Sequence, residues 1–333
     1  MRPIRLGVIG TGLIWMRTHK PILETLKEAI TPIAFCDVSE QRRAATAQAF
    51  PGAPVLNDHH DLLAIPEVEA VLVLTPIALN APVAMDALRA GKHVIMEKPI
   101  ARSVDEGRAL IATARQAGKR LFVAEQMAYR QAEAVLADLI GSGVIGDLVM
   151  WECIEHLEGD TAQGPLRYDS AAWRKHPDFP LGPLFDGGVH LIARLSKVFG
   201  APETISATGR KLRPEYGEYD HVAAIFEYAN GSSGLLSHSN YLPPLNNHLH
   251  VYGTTGAIRV ERDRIVVEKP EEAGQTVQLP EEEVYNAMWQ ALLHAFDTGD
   301  DPFYTAEKAL RDVAILEAIG QAIKSGQRAP VGR

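Results

Sequence analysis

The chain has 333 residues, of which 46% are hydrophobic and 23% charged, a balance that supplies a sizeable core for one large domain or two ordinary ones. Acidic side chains outnumber basic ones by 42 to 33, a formal charge of -9, which argues against nucleic acid or an anionic membrane as partner and points to a small ligand. The only cysteines, Cys36 and Cys153, exclude a disulfide framework; with no signal-peptide pattern in MRPIRLGVIG and no apolar run near the roughly 20 residues of a membrane span, the expected location is the cytoplasm.

Five apolar runs occupy the first third: IRLGVIG from residue 4, IAFCD from 33, AVLVLT from 70, HVIME from 93 and RLFVA from 120. Their continuity predicts strands buried on both faces. Between them lie amphipathic segments such as SEQRRAATAQAF and SVDEGRALIATARQAG, each opened by a serine suited to an N-cap. Strand and helix in alternation predict a doubly wound parallel sheet over residues 1–124, with ligands beyond the carboxyl ends of its strands.

From residue 125 the rhythm changes, and residues 125–333 are expected to form a second α/β domain around a large open, mainly antiparallel sheet. HVAAIFEYANGSSGLLSHSNYL holds an Asn-Gly between two strand-like runs, a hairpin signal, and HLHVYGTTGAIRVERDRIVVEK adds strands joined by glycine-bearing turns. Two helices close the chain, EEEVYNAMWQALLHAFDTG and TAEKALRDVAILEAIGQAIKSG, each ending in a glycine suited to a C-cap.

The first strand runs into Gly10-Thr11-Gly12-Leu13-Ile14-Trp15, where Gly10 and Gly12 fill the first two places of G-x-G-x-x-G and Trp15 the third. The two glycines provide a tight turn and a close backbone approach to a pyrophosphate at a helix N-terminus. The third glycine serves close helix packing, so tryptophan there predicts a helix that stands off or bends. The second strand ends at Asp37, 25 residues after Gly12, where a carboxylate accepts from ribose hydroxyls and repels a 2′-phosphate. NAD is therefore expected over NADP, although Arg42 and Arg43 lie close enough in sequence to answer a phosphate. The bland alternative is a structural turn with an ordinary strand-end acid.

Glu97-Lys98-Pro99 follows the fourth long apolar run and so falls on the same rim as the glycine turn. A lysine there can hydrogen-bond a substrate hydroxyl and stabilise charge as its proton leaves; the alternative is a solvated lysine paired with Glu97. Pro99 restrains Lys98 and allows a cis bond. In FDGGVHLI, Asp186 and His190 stand four apart, on one face if the stretch is helical, as either a base with its orienting carboxylate or an ordinary i, i+4 pair. Gln126, Tyr129, Arg130 and His156, placed near strand ends, are candidates to hold further hydroxyls. His59-His60 and His248-Leu249-His250 bring no recognisable partner spacing, so no metal is expected.

Taken together these residues resemble the family of glucose-fructose oxidoreductase and inositol dehydrogenase. The resemblance runs from GVIGTGLI through CDVSEQRRAATAQAF, TPIALNAPVAMDALRAGKHVIMEKPIA and GVIGDLV to LFDGGVHLI, YANGSSGLL, GTTGAIRVE and DVAILEAIGQAIKSGQ. It implies a Rossmann domain, a C-terminal domain whose sheet makes dimer or tetramer contacts, and an NAD-dependent oxidation of a secondary alcohol in a sugar, polyol or inositol-like substrate. It further implies Lys98, Asp186 and His190 as the catalytic set. Thr11, Leu13, Ile14, Thr75, Pro76, Asn80, Glu97, Gln126, Trp173 and Arg174 would line the cofactor with Gly10, Gly12, Asp37 and Arg42. Two departures stand out: Asn80 replaces a frequent histidine, and Ala193 a frequent aspartate. Relatives that use NAD for glycoside hydrolysis, or bind it as regulators, supply the alternative functions.

Overall fold

The computed structural model describes residues 3–157, 172–175, 177–212, 217–270 and 274–332. Among them the chain forms two compact units, one of residues 3–126 with 285–310, the other of residues 127–284 with 311–332.

The first unit is built on β1 (Ile4–Ile9), α1 (Lys20–Thr25), β2 (Ile30–Cys36), α2 (Glu40–Ala49), β3 (Val55–Leu56), α3 (His59–Leu63), β4 (Ala70–Val73), α4 (Ile77–Arg89), β5 (His93–Glu97), α5 (Val104–Ala117) and β6 (Leu121–Ala124). The six strands are parallel, in the order β3-β2-β1-β4-β5-β6 of a Rossmann sheet. The order reverses between β1 and β4, which opens a crevice at their carboxyl ends. All four residues of β4 are buried, as a strand covered on both faces requires. Ser39 and Ser103 cap α2 and α5 by accepting from the N–H groups of Arg42 and Glu106, and Glu106 in turn accepts from the Arg102 N–H at 2.7 Å. The two-residue β3, alongside Phe35 and Cys36, adds a strand to the five read from sequence.

Residues 285–310 belong to this first unit although they lie far along the chain. Phe296 packs on Phe122 with ring centroids 4.7 Å apart, and Arg120 donates to the Ala295 carbonyl at 2.8 Å.

The second unit contains α6 (Gln131–Gly141), β7 (Leu148–His156), α7 (Ala172–Lys175), α8 (Pro183–Asp186), α9 (Val189–Phe199), β8 (Thr204–Arg210), β9 (His221–Glu227), β10 (Ser233–Ser239), β11 (His248–Gly253), β12 (Ala257–Val260), β13 (Arg264–Glu268) and β14 (Gln275–Gln278). After α10 (Val284–Thr298), most of α11 (Ala306–Ser325) and β15 (Ala329–Pro330) complete it. Nine strands run in the order β14-β13-β12-β11-β7-β10-β9-β8-β15, and β7 with β10 is the parallel pair in an otherwise antiparallel sheet. Asn230-Gly231 turns β9 into β10, with Gly231 at φ +84°.

Alternation gives this sheet two unlike faces. Trp151 is fully buried on one, stacked on Phe199 of α9 at 5.2 Å, and a Cβ at Gly234 would fall 2.0 Å from its ring. On that same side Arg194 of α9 donates to Glu133 at 2.6 Å and to Glu155 at 3.2 Å. On the other, Ile225 and Leu235 are register partners and both are exposed. Among the described residues, no helix is long and apolar enough to cross a membrane.

Candidate active site

In the first unit the carboxyl ends of β1, β2, β4 and β5 gather the residues expected to hold a dinucleotide. Gly10 takes φ +97°, and a Cβ there would stand 2.5 Å from the Leu74 carbonyl oxygen, so the turn admits only glycine. Thr11 donates from its N–H (2.8 Å) and its hydroxyl (3.2 Å) to Asp37 Oδ2, while the Ser39 N–H donates to Oδ1 at 2.9 Å. Of the about four lone-pair directions of a carboxylate, one on Oδ1 remains for a ligand. Arg42 lies 3.6 Å from Asp37 Oδ2, and Arg43 donates to the Asp37 and Val38 carbonyls. A Cβ at Gly12 would meet nothing nearer than the Arg42 guanidinium, at 3.4 Å, which leaves its backbone open to approach.

Beyond Leu13 and Ile14 the helix widens into a π turn over Trp15–His19 before continuing as α1. Trp15 is buried against Phe35 and Phe50, with centroids at 5.8 and 6.2 Å. The bend that the tryptophan predicts thus takes the form of a local expansion that carries the large ring into the core.

The same turn delivers His19 to a buried relay. The Trp289 indole N–H donates to His19 Nδ1 at 3.2 Å, and since indole is only a donor, Nδ1 must be the bare nitrogen. The imidazole proton therefore sits on Nε2 and is donated to Glu97 Oε1 at 3.0 Å. Glu97 Oε2 accepts the Lys98 N–H at 3.2 Å, so the relay ends on the backbone that presents Lys98, ahead of a cis bond to Pro99. Asn80, 1% exposed, links this segment to the neighbouring loop: it donates to the Glu97 carbonyl at 3.2 Å and accepts from the Thr75 hydroxyl at 2.9 Å. Pro76 occupies the N-cap of α4, and Gln126, also buried, has an Oε1 with no partner among the described residues.

In the second unit Asp186 ends α8 and His190 lies in the first turn of α9, across the Gly187-Gly188 joint. A Cβ at Gly188 would fall 2.7 Å from the Leu184 carbonyl, so glycine lets the two helices meet closely. Leu181 and Gly182, both with positive φ, turn the chain into α8. Arg174 grips Asp186 through Nε–Oδ2 at 2.5 Å and Nη2–Oδ1 at 3.5 Å, and its guanidinium lies 4.3 Å from the Trp173 ring.

Three other candidates also lie in this unit, and two of them, Arg130 and His156, are engaged elsewhere. Arg130 lies 3.6 Å from buried Glu133 and its carbonyl accepts from Lys197 at 2.6 Å, a structural network shared with Arg194. His156 Nε2 meets Ser237 Oγ at 2.9 Å, as His221 does at 3.2 Å, on the sheet face opposite Glu155 and Arg194. Tyr129 carries a buried hydroxyl just before α6.

Besides His19 and Trp289, two residues of the second unit escaped sequence reasoning. His238 of β10 is buried with no partner for Nε2 among the described residues, and burial, helped by His156 and His221, pushes its pKa down to about 4. Asn240 has a buried Oδ1 with no partner among the described residues, and its Nδ2 is 3.7 Å from where a Gly187 Cβ would stand. The period of LLSHSNYL, which sets His238 on the inner side with Leu236, was the available signal.

Comparison with known proteins finds family models for both parts of the chain. Residues 4–125 match the model of an oxidoreductase family with an NAD-binding Rossmann fold, and residues 134–259 match the GFO/IDH/MocA C-terminal domain. The crystal structure of an oxidoreductase from Thermotoga maritima superposes with a TM-score of 0.91 at 30% identity, covering 99% of both chains. A dTDP-3,4-didehydro-2,6-dideoxy-alpha-D-glucose 3-reductase of Actinomadura kijaniata is 28% identical over 95% of both chains. A scyllo-inositol 2-dehydrogenase (NADP(+)) of Bacillus subtilis is 27% identical over 68% of this chain and 60% of its own.

Proposed function

The chain belongs to the Gfo/Idh/MocA family of oxidoreductases, and on that premise we propose that it is an NAD-dependent dehydrogenase acting on a secondary alcohol of a sugar, polyol or inositol-like compound. The names of an inositol dehydrogenase and a deoxysugar reductase among its relatives support a polyhydroxylated ring as substrate. When bound, the dinucleotide supplies the ring carbon that accepts hydride from the alcohol carbon.

The open backbone at Gly12 and the orphaned Gln126 oxygen fit such a cofactor. Gly10 to Ile14 would hold the pyrophosphate, Asp37 the adenosine ribose, and Thr75, Pro76, Asn80, Glu97 and Gln126 the nicotinamide end, with Trp173 and Arg174 added by the family resemblance. Asp37 favours NAD because its charge repels a 2′-phosphate. In the oxidative direction His190 takes the hydroxyl proton, Lys98 donates to the same oxygen and stabilises the alkoxide, and Asp186, steadied by Arg174, positions the base. The observation that carries this reading is the relay from Trp289 through His19 and Glu97 to the Lys98 N–H, which spends three buried side chains on placing one lysine.

The exposed Ile225 and Leu235 pair supports burial of the open sheet face against a second copy, as homodimer or homotetramer. Two free, buried thiols, Cys36 and Cys153, suit the reducing cytoplasm. The test is a panel of sugars, sugar acids, inositols and amino sugars screened for NADH formation at alkaline pH, run beside NADP. Turnover of one class with NAD preferred supports the proposal. No turnover of any alcohol, or a strong NADP preference, contradicts the reaction or the reading of Asp37 respectively.

A further inference from the structure

His248 and His250 are two residues apart on β11, so both project from the same side of the sheet, opposite the buried Leu249 and Val251. On the adjoining strand β7, Glu152 is the register partner of His250. The pairing brings together what sequence spacing separates by almost a hundred residues: one ligating atom from each of Glu152, His248 and His250 lies within 4.8 Å of the others. His248 Nε2 and Glu152 Oε2 are 3.7 Å apart, against about 3.3 Å for two ligands on one zinc ion with bonds of 2.0–2.1 Å.

The state of His248 is fixed by its other nitrogen. Nδ1 lies 2.7 Å from the Asn246 carbonyl oxygen, which can only accept, so Nδ1 carries a proton and, in the neutral ring, Nε2 presents the lone pair. That lone pair is buried and has no hydrogen-bond donor among the described residues. A backbone carbonyl on the far nitrogen and a bare near nitrogen is the outer-shell arrangement that orients a metal-bound histidine. The His250 ring stacks on His248, with centroids 4.3 Å apart. Arg259, opposite His250 on β12, has its charge taken up by Glu268 at 2.8 Å and Glu261 at 3.0 Å. The other such cluster among the described residues, Asp58-His59-His60, lacks this readiness: Asp58 caps α3 through the His60 N–H, and His59 Nε2 already meets Asp86 at 3.2 Å.

We propose that Glu152, His248 and His250 form a binding site for one divalent metal ion of the zinc class, clamping β7 to β11 on the open face of the nine-stranded sheet. Two imidazoles and a carboxylate suit zinc, cobalt or nickel rather than magnesium or calcium, and three protein ligands leave a fourth position open.

The test uses the full chain, stripped with a chelator and titrated with Co²⁺, followed by its visible absorption and by competition with Zn²⁺. One equivalent is expected to give a Co²⁺ spectrum that Zn²⁺ abolishes and Mg²⁺ does not. His248→Gln and His250→Gln are each expected to remove the step, with unchanged far-UV circular dichroism, whereas His59→Gln leaves it. Should the histidine variants fail to fold, Glu152→Gln decides by the same readout, with affinity expected to fall at least about 10–100-fold. Absence of stoichiometric binding, or binding that survives these substitutions or is lost with His59→Gln, overturns the site.

Discussion

Lys98 is presented by a set of bonds that defines a proton position as well as a place. Trp289 can only donate, so it dictates the His19 tautomer, and that tautomer dictates which atom faces Glu97. Replacing Glu97 with Gln would set an amide N–H₂ against either the His19 Nε2–H or the Lys98 N–H, two donors face to face. Glu97→Gln is therefore expected to lower kcat by about 10–100-fold through misplacement of Lys98, with KM for the alcohol little changed, as steady-state kinetics will register. An unaltered kcat would show that the relay is packing only. Asn80 carries a similar lesson: as a donor to the Glu97 carbonyl and an acceptor from Thr75, it joins the two loops with its own amide.

At the level of elements, much of the first unit was legible because its signals are local. Continuous apolar runs, Ser39 and Ser103 as caps, and Gly118 in the left-handed region after α5 each act within a few residues. What escaped depends on distant partners. β3 is too short for a period and exists by pairing with Phe35 and Cys36. The π turn at Trp15 needs the pocket made by Phe35 and Phe50, and the Glu152 neighbour of the histidine pair needs the β7–β11 register. At the candidate site, the glycine turn, Asp37 and Lys98 were legible as strand-end chemistry, whereas His19, Trp289, His238 and Asn240 acquire meaning only from side chains far along the chain. The second sheet offers a direct test of its packing. Gly234→Ala would drive a methyl into the Trp151 ring and is expected to destabilise the protein by about 1–3 kcal/mol in urea unfolding, with the β9–β10 hairpin retained. A change within experimental scatter would mean that Trp151 is not held against β10.

For the whole molecule, acid stability should report the buried histidine of β10. Its pKa is about 4 in the folded protein against 6.5 when exposed, so between those values the unfolded chain binds more protons. Stability is then full above pH 6.5 and falls as pH drops toward 4, by at most about 3 kcal/mol from this group. His93 and His156, whose pKa values are also lowered, chiefly by burial, add in the same direction. Denaturation at pH 6.5 and 4.5 should show a smaller drop for His238→Gln than for the native protein, and an equal drop would place the acid sensitivity elsewhere. The proposed reaction rests on Lys98 and His190 acting on a single alcohol. The most direct check is kcat/KM for Lys98→Met and His190→Asn on the best alcohol from the substrate panel, with NADH affinity measured in parallel by fluorescence. A loss of about 10²–10⁴-fold in each, with NADH binding kept within a few-fold, is the predicted result. Near-native turnover in either variant would contradict it.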